Sequence, residues 1–254
     1  MFFRYLKADF KKTKHLQIRT AHCVIPIGTA IIFIFYYAFS PWNSFVKVEA
    51  YFQVLAMGFP FLIGLFCAML AEQELLAGSF QHMLSAPERL SAFFSKLILL
   101  VLFGMFAVLV ASILFGTTEF FFAKLVIVDY GFYWTAALII TAANIFLYVL
   151  HLFMALRFNK GVTTALGIIE SLISALLITE IGNNIWMYVP AAWASRMVTS
   201  LLLKFNTGLT ETANYDLMKN NCIYAFIICI ITTVIALTAF GIWACRWDGV
   251  RSNE

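Results

Sequence analysis

Six long apolar stretches leave this chain little freedom in how it folds. They lie at about 23–39, 51–71, 97–115, 132–156, 162–179 and 222–245. Each approaches the ~20 residues a helix needs to cross ~30 Å of hydrocarbon at ~1.5 Å per residue. Inside hydrocarbon the backbone must satisfy its own N–H and C=O groups, which selects helices. Across all six stretches Glu170 is the only Asp, Glu, Lys or Arg. Charged residues make up 12% of the chain, about half the share in an ordinary soluble domain. The segments between the stretches are too short for a soluble catalytic domain. Residues 1–254 are therefore read as one all-α, polytopic membrane domain with six transmembrane helices. Any energy it uses comes from a gradient or from a partner.

The placement of Lys and Arg predicts the orientation. With the N-terminus inside, Arg4, Lys7, Lys11, Lys12, Lys14, Arg19, Arg89, Lys96, Arg157, Lys160, Arg246 and Arg251 face the cytosol. Only Lys47, Lys124, Arg196, Lys204 and Lys219 face out. This bias predicts that both termini are cytosolic. It also accounts for the net charge of +4, so the charge is not read as nucleic-acid binding. A cleaved signal peptide is the competing reading of the N-terminus. The first apolar run is too long and begins too late for one.

Residues 1–20 form a basic amphipathic stretch, with Phe2, Phe3, Leu6 and Phe10 on one stripe and Arg4, Lys7, Lys11 and Lys14 beside it. It reads either as an interfacial helix or as charge decoration before a first span. The loop 116–131, with Phe120, Phe121 and Phe122, reads as an interfacial element, and residues 180–221 as an outer excursion. The cysteines Cys23, Cys67, Cys222, Cys229 and Cys245 lie in or beside apolar helices without zinc-type spacing, and read as apolar filler. No phosphate-binding glycine loop, zinc-protease motif or hydrolase elbow is present. No catalytic residue, metal site or cofactor bound by this chain is predicted.

The most specific signal is the segment from Glu72 to Pro87. Leu76, Phe80, Met83 and Leu84 recur at i, i+4, i+7 and i+8, which predicts one apolar face of a short inner helix over 72–86, ended by Pro87. Such a helix either docks into a groove on a soluble partner or rests on the bilayer.

Six spans, a cytosolic N-terminus and an "E-x-E…G-x-x-x-x-x-L-x-x-P" loop after span two resemble the permease subunits of bacterial ABC exporters. More narrowly, the chain is similar to permeases of lantibiotic self-immunity exporters, the EpiE/MutE-like group. Residues 181–193, Ile-Gly-Asn-Asn-Ile-Trp-Met-Tyr-Val-Pro-Ala-Ala-Trp, look like that group's "G-x-x-I-W-x-Y-x-P-x-x-W" segment, and Arg246-Trp247-Asp248-Gly249 is similar to its ending. The resemblance implies a heteromeric complex in the bacterial cytoplasmic membrane. This subunit would pair with a second, related permease and two copies of an ABC ATPase, which would bind ATP and magnesium. Glu72, Glu74, Leu76, Phe80, Met83 and Leu84 would belong to a coupling helix seated on that ATPase. The complex would move an amphipathic antimicrobial peptide from the membrane to the medium. The alternatives are an exporter permease for another amphipathic drug or lipid-linked substrate, and a non-transporting subunit that senses peptide.

Individual residues carry two readings each. Glu170 lies about 13 Å deep by helical rise, where a charge costs roughly 2.5–3.5 kcal/mol on insertion scales. It belongs either to a translocation path or to a polar contact holding helices together, with Asn144 as its candidate partner. Trp186, Tyr188 and Trp193 either face a peptide at the outer surface or form a headgroup belt. Pro190 lets Ala191 to Lys204 start a fresh helix at the outer face after span five, either re-entrant or interfacial.

Overall fold

The computed structural model describes the backbone of residues 2–15, 17–122, 128–204 and 213–249. Most of the apolar loop 116–131, including Lys124, and the polar run 206–215 with Glu211 lie outside the residues described with side chains, as do Asp216 and Arg251. The described residues are helical and include no strand. The long helices are α2 (Gln17–Phe39), α3 (Ser44–Leu76), α5 (Arg89–Phe122), α8 (Lys160–Ile178) and α10 (Ala213–Arg246). α6 (Tyr130–Ala143) and α7 (Ile145–Arg157) are two halves bent by 41° at Asn144. Among the described residues five helices are long and apolar enough to cross a membrane, and six if the bent pair is one span. Three shorter helices complete the chain: α1 (Phe2–Lys12), α4 (Gln81–Leu84) and α9 (Pro190–Leu203).

Apolar residues cover much of the outside. Ile31, Ile32 and Phe35 on α2, and Ile227, Ile231 and Ile235 on α10, are all exposed. Water penalises such a surface and lipid does not. This is the pattern of a multi-pass membrane protein.

α3 is the mast of the bundle and touches α2, α5, α7, α8 and α9. Its 33 residues rise about 50 Å at ~1.5 Å per residue, well beyond ~30 Å of hydrocarbon. Asn43 starts it, its Oδ1 accepting from the Val46 N–H at 2.9 Å. Pro60 interrupts the helical hydrogen-bond ladder, and the Phe61 N–H donates instead to Ser171 Oγ of α8 at 3.1 Å. A neighbouring hydroxyl thus repairs the gap a proline opens in a membrane helix.

The α3–α8 seam is close because it is lined with glycine. A Cβ on Gly167 would sit 2.9 Å from the Pro60 carbonyl oxygen, and one on Gly64 would sit 2.8 Å from that of Thr163. Both obstacles are backbone and cannot swing aside. Small residues let membrane helices approach in this way.

Of the two sequence readings for α9, the interfacial one does not hold. The helix does not lie on the surface but packs against α3, α6 and α8, with Ala191, Ala192, Trp193, Ala194 and Ser195 buried. Its first turns are made of small residues, which give a close-packing face rather than a headgroup-facing one. Arg196 ties it down by donating to the Leu177 and Thr179 carbonyls, both at 2.7 Å. These belong to the C-terminal end of α8, where a cation also meets the helix dipole.

Replacing Gly167 with Ala should force α3 and α8 apart and cost about 1–3 kcal/mol. A thermal melt of the detergent-purified protein checks this, with Gly28→Ala as the control because a Cβ there would meet nothing within 4 Å beyond its own stretch of helix.

Candidate functional site

Two buried polar clusters and one reshaped turn stand out. At one end of the bundle, hereafter the α4 end, α1 meets the last turns of α3 and the start of α5. Lys96 Nζ lies 2.9 Å from both Asp9 Oδ1 and Glu74 Oε1. Lys12 Nζ reaches the same Glu74 oxygen at 3.1 Å, and Ser95 Oγ donates to Asp9 Oδ2 at 2.5 Å. Asp9, Glu74, Ser95 and Lys96 are buried. Burying ions is costly unless each is paired and hydrogen-bonded, and here each is. The cluster pins α1 to α3 and α5. Glu74 is therefore an internal strut and not part of an exposed docking face. Glu72, two residues earlier, is half-buried.

The predicted helix over 72–86 does not form. α3 stops at Leu76, and the chain turns back through Gly78, Ser79 and Phe80 at φ values of 132°, 48° and 64°. The reversal is closed by the Ser79 N–H on the Leu75 carbonyl at 2.7 Å and the Phe80 N–H on that of Glu74 at 3.2 Å. Glycine accepts such angles freely, while the two side-chain-bearing residues are strained there. Packing of Phe80 offsets the strain. Its ring meets Trp247 edge-on at 5.0 Å, and Trp247 stacks on Trp243 at 5.1 Å and touches Phe93. Phe80 and Met83 are each 1% exposed, whereas Leu76 is 81% exposed. Leu84 is half-buried against the chain's own core. The four residues expected on one docking face thus point different ways. Arg89 locks the same end by donating to the carbonyls of Cys245, at 3.2 Å, and Trp247.

The second cluster lies in the bundle. Glu170 pairs with His151, Oε2 to Nε2 at 2.6 Å, and His151 has no solvent exposure. Its imidazole fits because Gly64 stands opposite, where a Cβ would come within 3.2 Å of the ring. The expected partner, Asn144, is buried but turned elsewhere. Its amide donates to the Ile140 carbonyl at 2.7 Å, satisfying backbone where α6 breaks from α7. The Glu170–His151 contact needs a proton on one partner or the other, and the pair holds α7 to α8 either way. Similar depth makes Asn144 the expected partner, and it does not predict His151, two turns further along the same span. The signal that favours His151 is chemical, because an imidazole ring nitrogen and a carboxyl oxygen make a direct hydrogen bond in either proton arrangement.

The aromatic trio is also split. Trp186 and Trp193 are buried, and the Trp193 indole N–H donates to the Met187 carbonyl at 2.8 Å. Neither faces a peptide or a headgroup belt. Tyr188 is 68% exposed, and Ile181 and Ile185 in the same segment are exposed as well. No group of His, Cys, Asp and Glu among the described residues is arranged to hold a metal ion.

Comparison with protein-family models, curated proteins and solved structures returned no match. The family resemblance rests on the sequence motifs alone.

Removing one member of the cluster at the α4 end should leave an uncompensated buried charge. Lys96→Met is expected to lose about 3–5 kcal/mol, and the triple change Lys96→Met, Asp9→Leu, Glu74→Leu to recover most of it. Equal melting points for the parent and Lys96→Met in a detergent thermal-shift assay would show the cluster to be energetically idle. For the second pair, Glu170→Gln keeps a hydrogen bond to His151 and should melt within a few degrees of the parent. Glu170→Leu strands the imidazole and should melt markedly lower.

Proposed function

We propose that this chain is the membrane permease subunit of an ATP-driven ABC exporter in a bacterial cytoplasmic membrane. Both termini and the α4 end face the cytosol. The exported substrate is a lantibiotic-type, cationic and amphipathic antimicrobial peptide, taken from the membrane and returned to the medium. The working complex contains a second, related permease and two copies of the ATPase, which bind ATP and magnesium.

One observation carries the reading. The connection between α3 and α5 exposes Leu76 at the end of α3, and beyond the reversal it exposes Gln81, His82 and Ser85. It is braced from behind by the Glu74–Lys96 pair and by Phe80 on Trp247. An exposed apolar side chain on a braced turn suits insertion into a groove on a soluble partner. In the resembling permeases this loop seats the ATPase. The seating face is therefore Leu76, Gln81 and His82, with Phe80 and Met83 serving as its anchor. The bias of Lys and Arg toward this end supports its cytosolic placement. At the other end, Ile181, Ile185 and Tyr188 supply exposed apolar side chains for the peptide.

Leu76→Asp leaves the anchor intact and puts a charge at the end of α3. Co-purification from the native host should then lose a P-loop ATPase by at least roughly tenfold, with unchanged membrane insertion, because a charge buried in such a contact costs more than about 1.4 kcal/mol. Phe80→Asp should instead reduce the amount of folded subunit. If no ATPase accompanies the parent protein, or Leu76→Asp retains it in full and peptide resistance is unchanged, the assignment is wrong.

A further inference from the structure

A cleft of about 710 Å³ opens between α6, α9 and α10, away from both polar clusters. That volume lies in the range of roughly 300–1,000 Å³ typical of small-molecule sites. Its two ends differ in chemistry. Lys204, at the C-terminal end of α9, and Lys219, near the start of α10, stand at one end with Ser200. Ile145, Ile230 and Val234 line the other. From Lys219 to Val234 the α10 wall rises about 22 Å at ~1.5 Å per residue, somewhat more than one leaflet of a ~30 Å hydrocarbon core. Both lysines are exposed, and neither enters an ion pair among the described residues.

We infer that this cleft is a binding site for an anionic phospholipid of the leaflet opposite the α4 end. The phosphate sits between Lys204 and Lys219, and an acyl chain runs down to Ile230 and Val234. Three features select this occupant. The cleft is lined by the exposed apolar residues Leu138, Ile223 and Phe226, a surface that in a membrane protein meets acyl chains. Its charged end lies where a headgroup lies. Two cations repel a cationic peptide, so the cleft is not the site for the substrate class proposed above. The inference goes beyond that reading and does not depend on it. Basic residues beside membrane helices commonly hold anionic headgroups.

Native mass spectrometry of the intact chain, released from neutral detergent with equal phosphatidylglycerol and phosphatidylcholine of matched chains, tests this. The parent should retain phosphatidylglycerol in roughly thirtyfold preference, about a factor of five for each lysine. The double change Lys204→Gln, Lys219→Gln touches only exposed side chains and should bring the two lipids within about threefold of each other. Ala142→Trp fills the cleft from an exposed position of its wall and should lower retention of both lipids by roughly tenfold or more. Equal retention of the two lipids by the parent overturns the proposal. So does an unchanged preference in the double variant, which decides the matter if Ala142→Trp fails to fold. Displacement by inorganic phosphate alone would point to a bare anion site. Conversion of a dimer to a monomer by Ala142→Trp would point to a second copy as the occupant. Displacement by a cationic peptide would point to substrate. Each of these outcomes also overturns the lipid assignment.

Discussion

Hydrocarbon offers no hydrogen bonds, so every polar group that enters it must bring or find a partner. That constraint explains most of the side-chain arrangements between these helices. Pro60 breaks the ladder of α3, and Ser171 of another helix answers the freed N–H of Phe61. Asn144 breaks the span made by α6 and α7, and its own amide answers the Ile140 carbonyl. Glu170 cannot remain alone and meets His151. Ser171 and His151 each reach another helix from one definite place, whereas Asn144 bonds within its own span. The two cross-helix contacts thus fix register in a core where apolar contacts alone would tolerate sliding.

The same solvent weakens the usual reason for helices to associate, because lipid tails are as apolar as leucine. What remains is close packing and polar contact. The seam of α3 and α8 uses both, with Gly64 and Gly167 admitting backbone against backbone and Ser171 bonding across it. α9 joins the same core through a run of small residues and through Arg196 on the end of α8. α2 and α10 have fewer such devices and present broad apolar faces outward. The cleft under α10 is a consequence, since Thr135, Ala142 and Ile145 leave α10 little to interlock with there.

Hydropathy made the spans legible, but it marks the hydrocarbon and not the helix. α3 runs from Ser44 to Leu76, while its apolar stretch is only 51–71, because Lys47, Glu49, Glu72 and Glu74 continue a helix beyond the lipid at no penalty. Glu170 stood out as the lone acid in a span, whereas its partner did not, because a histidine carries no obligatory charge and does not register as an exception. The spacing of Leu76, Phe80, Met83 and Leu84 fits a helical period and misled for a local reason. Periodicity assumes one unbroken axis, and Gly78 followed by Ser79 and Phe80 at positive φ reverses it. Trp186 and Trp193 misled differently. Tryptophan is common in headgroup belts, but α9 folds inward, and a buried indole whose N–H finds the Met187 carbonyl is satisfied there. Tyr188, two residues along the same turn from Trp186, stays outside.

The charged cluster at the α4 end has a different logic from the polar pairs deeper in. A buried ion network is seldom the most stable way to fill a space, since apolar side chains of similar size do as well or better. What it gives instead is geometry, because Lys96 satisfies Asp9 and Glu74 together only at one rotation and height of α1 and α3 against α5. Glu74 lies two residues before Leu76, within a single helical turn. The chain then reverses at once and is gripped a second time by Phe80 on Trp247. Leu76 is thus held within one helical turn of contacts to α3, α5 and the end of α10. From there α3 runs back to Gly64, which faces His151, and one turn further to Pro60, where the Phe61 N–H bonds to Ser171. One helix therefore carries both Glu74 of the end cluster and the glycine that makes room for His151, so the rotation that Lys96 fixes also sets which face of α3 meets α8.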